Sequence, residues 1–203
     1  MALEIYIARH GQNVDNANGI LNGHRDLPLT GLGRNQAKDL ARGILDVGLV
    51  FDRVFSSPLS RALETAQIIC RKLALADPVI LDSLIERDFG IMTGKPHDKI
   101  IEMCAPDIIV AEKITYFLHP DGAETFPELV ERGRKILSQI RKIEDDGKVL
   151  LVCHGDLGKM IYAAATGSPW EKVLTGFHFG NAELIDISDK DTAHVITLSQ
   201  HNK

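Results

Sequence analysis

Four short stretches hold residue types that can do chemistry together: Arg9-His10-Gly11, Arg61, Glu86 and His154-Gly155. Two arginines and a second histidine could bind three oxygens of a phosphoryl group, whose transfer depends mainly on positioning and charge stabilisation. A neutral imidazole whose other nitrogen is held by a hydrogen bond is a competent nucleophile. Glu86 follows Ile85 and has apolar neighbours close by. Desolvation there favours the acid form, which could protonate a leaving oxygen. Taken singly, each stretch has a plainer reading. Arg-His-Gly also suits a capped strand end, Arg61 a solvated arginine, and Glu86 a surface ion pair with Arg87. Eight histidines raise a metal site as the competing chemistry. There is no HxH, HxxxH or HExxH, and arginine beside a motif histidine favours an anion over a divalent cation. No metal is expected.

The elements that must position these groups follow from hydrophobic patterning. Ile5-Tyr6-Ile7-Ala8 and Val149-Leu150-Leu151-Val152 are short apolar runs that end in Arg9-His10-Gly11 and Cys153-His154-Gly155. Such runs read as buried strands. Arg53-Val54-Phe55 and Val79-Ile80-Leu81 are two more. Between them lie amphipathic helices. One follows Thr30, with Ala37, Leu40, Ala41, Ile44 and Leu45 on its apolar face, and ends by Gly48. A second starts near Pro58, with Arg61 in its first turn. A third runs from Glu124 to Glu144, and a fourth starts near Asp156. Gln12 to Pro28 reads as a loop by composition. In the stretch 95–120, punctuated by Pro96, Pro106 and Pro120, short helices are predicted over Asp98–Cys104 and Ile108–Leu118. That stretch is expected to lie over the sheet as a lid. The tail from Phe177 to Leu198 reads as two or three strands with a turn near Asp189-Lys190.

Strands alternating with helices imply an α/β fold, a mostly parallel sheet with helices on both faces. Parallel strands carry their carboxyl ends to one edge, where open α/β sheets bind ligands. His10, His154 and Arg61 each follow a different strand at that edge, so three groups distant in sequence meet there.

Length and composition set the bounds. A chain of 203 residues is expected to form one domain, and at this size it buries roughly 70% of its unfolded surface without staples. The formal charge of −5 argues against a general nucleic-acid binder, although local arginines can still oppose it at an anion site. Cys70, Cys104 and Cys153 form no CxxC pair and read as free thiols of a reducing compartment. No signal peptide or apolar run of about 20 residues is visible, so a cytoplasmic protein away from membranes is expected. Oligomeric state is not legible.

These stretches resemble the motifs of the histidine phosphatase superfamily, the phosphoglycerate mutase-like proteins, from about Ile5 to at least Leu184. Arg9-His10-Gly11 resembles the opening signature, and Asn16 the asparagine that follows it. Asp26-Leu27-Pro28-Leu29-Thr30 with Gly33 is similar to D-x-P-L-T-x-x-G. Ser56-Ser57-Pro58-Leu59-Ser60-Arg61-Ala62 with Thr65-Ala66 resembles the second arginine motif. Leu84 to Gly90 with Gly94 resembles the acid motif, Pro120 to Glu124 the P-x-G-E helix entry, and Val152 to Gly155 the second histidine. The resemblance implies a three-layer α/β/α sandwich with one antiparallel strand. It implies His10 as the nucleophile that becomes phosphohistidine, with Arg9, Arg61 and His154 as the phosphate pocket. Glu86 would be the general acid, then the base for water. Asn16, Asn22, Gly23 and Gly155 would touch substrate. No cofactor or metal is implied.

Some positions depart from the pattern. Gln12-Asn13 replaces an acid and a small hydroxyl residue, Ile20 an arginine, and Phe89 the tyrosine of glycolytic mutases. His97 stands roughly where those mutases carry lysine. Residues 95–120 hold Lys95, Lys99 and Lys113 but none of the arginines with which mutases clamp a carboxylate. The implied activity is therefore metal-independent hydrolysis of a phosphomonoester of a small molecule. The alternatives are a cofactor-dependent phosphoglycerate mutase, a phosphoprotein phosphatase, or a non-catalytic phosphate-binding relative.

Overall fold

The structure, a computed structural model, describes residues 3–112, 114–187 and 194–196. In chain order the strands are β1 (Glu4–Arg9), β2 (Arg53–Ser56), β3 (Val79–Ile80), β4 (Ile108–Val110), β5 (Thr115–Phe117), β6 (Lys148–Cys153), β7 (Leu184–Asp186) and β8 (His194–Ile196). The helices are α1 (Val14–Ala17), α2 (Gly31–Asp46), α3 (Ser60–Leu73), α4 (Lys99–Cys104), α5 (Phe126–Ile143), α6 (Gly155–Thr166) and α7 (Trp170–Gly176).

Six strands form the central sheet in the order β3-β2-β6-β1-β7-β8. β3, β2, β6 and β1 pair in parallel, while β7 is antiparallel to both β1 and β8. Alternation along each strand divides the apolar side chains between two faces. Ile5 and Ile7 of β1, with Val149 and Leu151 of β6, pack in one core with Leu129, Ile136 and Ile140 of α5 and Met160 and Ile161 of α6. Tyr6 and Ala8, with Leu150 and Val152, face a second core with Leu40 and Ile44 of α2 and Ala62, Ala66 and Ile69 of α3. The sandwich is therefore three layers deep, with β7 as the antiparallel strand.

Caps set where two long helices begin. Thr30 Oγ1 accepts from Gly33 N at the start of α2, and Thr125 and Glu128 form a capping box at α5. Pro58 lies outside α3, which begins at Ser60 after an uncapped Leu59. The stretch 12–28 contains the short helix α1, capped by Asn13, rather than loop alone. Leu45 is half exposed at the last turn of α2, off the buried stripe.

The largest departure from the sequence reading lies at 108–118, which forms the hairpin β4–β5 and not a helix. Ile108-Ile109-Val110 and Thr115-Tyr116-Phe117 are β-branched and aromatic triplets, which favour a pleated surface. Phe117 joins Leu21, Phe89, Met92, Ile100 and Cys104 in a separate small core that holds the segment beside the sheet edge. The turn expected near Asp189-Lys190 lies outside the described residues. Among the described residues no helix is long and apolar enough to cross a membrane.

The chain leaving β1 packs tightly on the start of α2. A Cβ on Gly11 would lie 2.3 Å from Gly33 O, and one on Gly33 would lie 2.0 Å from Gln12 O. Both obstacles are backbone and cannot rotate away. Gly11→Ala should therefore lower stability in urea unfolding by about 1–3 kcal/mol, the usual scale for overpacking. Gly31→Ala, whose added Cβ meets nothing within 4 Å, should cause no loss. Equal stability of the two variants would disprove the close-packing argument.

Candidate active site

β2, β6 and β1 are adjacent and parallel, so their carboxyl ends coincide. Arg9 pairs with Cys153 and Ser56 with Val152. The next residues, His10, His154 and Ser57, thus share the sheet edge. Their backbones stay tied to it, with His10 N donating to Cys153 O and Ser57 N to Val152 O.

His10 is buried, and its two ring nitrogens have unambiguous partners. Nδ1 lies 2.7 Å from Gly11 O, which can only accept. Nε2 lies 3.2 Å from Arg61 Nε, whose N–H can only donate. The proton therefore sits on Nδ1 and the lone pair on Nε2. Burial, then Arg61, then Arg9 hold the His10 pKa well below the usual histidine value. The ring is neutral at neutral pH.

Arg61 reaches this position from the first turn of α3 and is fully buried. Nη1 donates to Arg25 O at 2.6 Å and Nη2 to Gly23 O at 3.0 Å. Burial lowers its pKa to about 10, which still leaves it charged at neutral pH. Gly23 has φ +49°, a left-handed conformation, and a Cβ there would meet Thr93 Oγ1 at 2.8 Å. Glycine thus lets the loop turn its carbonyl to Arg61. Arg9 Nη1 donates to Phe179 O at 2.6 Å, while its buried Nε has no partner.

His154 is fully buried, its ring centroid 5.1 Å from that of His10. Nε2 lies 2.8 Å from Ser57 Oγ, and Nδ1 has no partner. Ser57 Oγ also accepts from Leu59 N. Among the described residues His154 Nε2 is the acceptor within reach of the Ser57 hydroxyl proton, and with that proton donated there the ring proton sits on Nδ1. Burial first, then Arg61, His10 and Arg9, lower the His154 pKa well below the usual value.

Glu86 sits at the N-terminus of α6. Its Oε1 accepts from Leu157 N at 3.0 Å and from Arg87 N at 2.9 Å, and Oε2 accepts from Asp156 N at 3.4 Å. Those bonds favour the carboxylate. Burial, followed by the neighbouring Asp156 charge, outweighs them and raises the pKa. The plainer reading of Glu86, a surface ion pair with Arg87, does not hold, since Arg87 pairs with Asp156. Arg87 is buried against the Phe117 and Phe126 rings, each 4.3 Å away. Its Nε donates to Asp156 at 2.8 Å, and its other nitrogens donate to the carbonyls of Glu124 and Phe117.

Arg9, His10, Asn16, Asn22, Arg61, Glu86 and Gly155 all line one cleft that opens to solvent. His154 lies buried beside His10, and the Gly23 carbonyl braces Arg61. Asn16 Oδ1 accepts from Asn13 N and Asn181 Nδ2. Its amide N–H groups have no acceptor among the described residues. Asn22 Oδ1 accepts from Asn13 Nδ2 at 2.6 Å. A Cβ on Gly155 would lie 3.5 Å from the Arg9 guanidinium, in ordinary contact.

Sequence reasoning gave no role to Ser57, Asp156, Tyr116, Lys159 or Asn181. Ser57 follows a strand as His10 does, so the same rule could have found it. Lys159 interrupts an otherwise apolar helix and was a visible signal. Among the described residues no group of three or more His, Cys, Asp or Glu side chains could hold a metal ion.

The histidine phosphatase superfamily (branch 1) matches residues 5–200 of this chain. A 2,3-bisphosphoglycerate-dependent phosphoglycerate mutase of Parvibaculum lavamentivorans is 32% identical over 159 residues, 75% of this chain and 74% of that protein. Among solved structures, the fold is similar to a mycobacterial glucosyl-3-phosphoglycerate phosphatase in complex with VO3. The TM-score is 0.76 at 27% identity, covering 90% of this chain and 91% of that one. A phosphoserine phosphatase of Entamoeba histolytica, in complex with 3-phosphoglyceric acid, shares the fold with a TM-score of 0.74. Identity there is 21%, and 98% of each chain is covered.

The raised Glu86 pKa has a consequence for stability. Above the unfolded carboxyl value, folding must either bury a charge or take up a proton, so this group's contribution becomes unfavourable as pH rises to its folded pKa. Glu86→Gln removes that penalty. Thermal melts should show the variant gaining stability over the wild type at pH 8 relative to the difference at pH 4. A difference that stays constant or moves the other way would mean the carboxyl is ionised without cost.

Proposed function

The chain belongs to the histidine phosphatase superfamily, and from that premise we propose that it hydrolyses a phosphomonoester of a small molecule through a phosphohistidine on His10. One observation carries the reading. His10, whose Nε2 accepts from Arg61 Nε, lines the cleft with Arg9, and Arg9 and the neighbouring His154 each hold a buried nitrogen without a partner. Buried donors are nearly always satisfied, and an orphaned pair asks for an anion.

Substrate binds with its phosphoryl oxygens toward Arg9 Nε, His154 Nδ1, Arg61 and the Asn16 amide. Arg61 Nε transfers its hydrogen bond from His10 Nε2 to a phosphoryl oxygen. Nε2 then attacks phosphorus in line as the bond to the leaving oxygen breaks, and protonated Glu86 gives that oxygen its proton. The Nδ1–H bond to Gly11 O persists and stabilises the phosphorylated ring. In the second step Glu86, now a carboxylate, takes a proton from water as its oxygen attacks phosphorus. The P–N bond breaks, phosphate leaves, and both residues return to their starting states. Arg9, Arg61 and His154 supply the positive field in this scheme, so activity should survive prolonged EDTA.

Residues 1–203 act as one domain in this reading, with about 95–120 as a lid. The partner is a phosphorylated small molecule, not nucleic acid or membrane. Three buried free cysteines support a cytoplasmic location. The choice of water over a second substrate hydroxyl as acceptor rests on the lid. Within 95–120 there is no arginine, and Lys99 is paired with Glu102. The mutase reading is favoured by the 32% identical relative. It is tested with 3-phosphoglycerate and a trace of 2,3-bisphosphoglycerate. A phosphatase releases free phosphate in step with substrate loss, whereas 2-phosphoglycerate forming far faster than phosphate would reassign the chain as a mutase.

The pH dependence follows from the two shifts. Activity needs His10 neutral and Glu86 protonated in the first step. The acid limb should lie below pH 6.5, because His10 is depressed, and the alkaline limb should follow the raised Glu86 pKa. Asp156→Asn removes a charge that raises Glu86 and frees Arg87 to lower it, so the alkaline limb of kcat/KM should move to lower pH. An unmoved or upward-moving limb would remove Glu86 from the acid role.

A further inference from the structure

We propose that Tyr116 and Lys159 form a leaving-group subsite, which selects phosphomonoesters carrying a second anionic oxygen, a carboxylate or phosphate, on the leaving group. The proposal rests on the phosphatase reading of the same cleft and narrows its substrate class.

Lys159 lines that cleft from α6, four residues after Gly155, which is about 6 Å along the helix axis. Glu86, the proposed proton donor to the leaving oxygen, is bonded to the first turn of the same helix. A substituent a few bonds beyond the leaving oxygen therefore falls within reach of the next turn. Lys159 is buried, yet none of its bonding partners carries a charge. Nζ donates to Tyr116 Oη at 3.0 Å, to Leu174 O at 2.8 Å and to Phe177 O. Asp156, the nearby acid, is occupied by Arg87 at 2.8 Å. A buried ammonium among neutral oxygens is under-compensated. Its pKa accordingly falls, to about 8, with burial as the main cause.

Tyr116 converts that unspent charge into a directed contact. Its oxygen accepts from Lys159, so its own hydroxyl proton is left to donate, and it has no acceptor among the described residues. The ammonium behind it makes that proton a stronger donor. Leu21, Phe89, Ile114 and Phe117 give this cleft apolar surface, beside the polar Thr115, His97 and Asp156. A neutral, wholly apolar leaving group would leave the Tyr116 proton buried and unpaired, which is costly. An anionic oxygen accepts that proton and compensates Lys159 together. This places the cation on α6, whereas Lys99 of the lid is paired with Glu102.

Three probes built on one three-carbon chain test the subsite: propyl phosphate, 3-phosphooxypropanoate and the bisphosphate of 1,3-propanediol. For the wild type, kcat/KM should favour one or both anion-bearing compounds over propyl phosphate by at least about tenfold, the scale of one hydrogen bond to a charged group. Which of the two wins identifies carboxylate or phosphate as the second anion. In Tyr116→Phe and Lys159→Met the ratio should fall toward one. Equal use of all three compounds by the wild type, or unchanged ratios in the variants, would overturn the proposal. If Lys159→Met does not fold, Tyr116→Phe alone decides. Hydrolysis of p-nitrophenyl phosphate separately checks the phosphatase reading. Should that fail, calorimetric binding of the three probes to His10→Ala reads the subsite without turnover, and equal affinities would sink it.

Discussion

A buried imidazole beside two guanidinium groups can be held only in its neutral form, and the rest of the site is built around that constraint. Burial, Arg61 and Arg9 all act against a proton on His10. The bond from Nδ1–H to Gly11 O then decides which nitrogen keeps the lone pair. Among the described residues neither Arg61 nor Arg9 bonds a carboxylate. Arg61 is held by the carbonyls of Gly23 and Arg25, and Arg9 by that of Phe179. Carbonyls fix a guanidinium without cancelling its charge. The positive field is thus left to depress His10 and to meet an incoming anion.

The scaffold serves this arrangement through parallel pairing and close backbone approach. Register between β2, β6 and β1 brings Ser57, His154 and His10 to one level. Contact between Gly11 and Gly33 fixes the chain immediately after the nucleophile, and Thr65 Oγ1 ties Gly11 N to Arg61 O. On the other side, Glu86 is bonded into the first turn of α6 while Arg87, one residue on, clamps Asp156 and the hairpin strand β5. The acid and the hairpin wall of the cleft are therefore coupled through adjacent residues. Movement of β5 would disturb Arg87, then Asp156, then the environment of Glu86.

Much of this was legible in the sequence, for a definable reason. His10 and His154 end short apolar runs, so polarity changes abruptly where a strand leaves the core. Arg61 follows a third such run within a few residues. The groups that escaped notice depend on partners far along the chain. Arg87 reads as a surface partner of Glu86 until Phe117, Glu124 and Asp156 are brought to it. The hairpin at 108–118 is two apolar triplets, too short for periodicity to separate strand from helix, and the contact of Phe117 with Phe89 decides the outcome. Gly23 was expected against substrate, and the role its carbonyl has in orienting Arg61 was not legible. Tautomers are set by Gly11 O and Ser57 Oγ, and no pattern of residue types carries that information.

The central claim is that His10 Nε2 is the atom that accepts the phosphoryl group. Rapid mixing with labelled p-nitrophenyl phosphate, an alkaline quench and mapping by mass spectrometry and phosphorus NMR test it most directly. One acid-labile phosphate should be found per chain, on His10 and on its Nε2, and it should decay at the rate of turnover. A phosphate on His154, on Nδ1 of His10, or on no residue during steady turnover would contradict the claim.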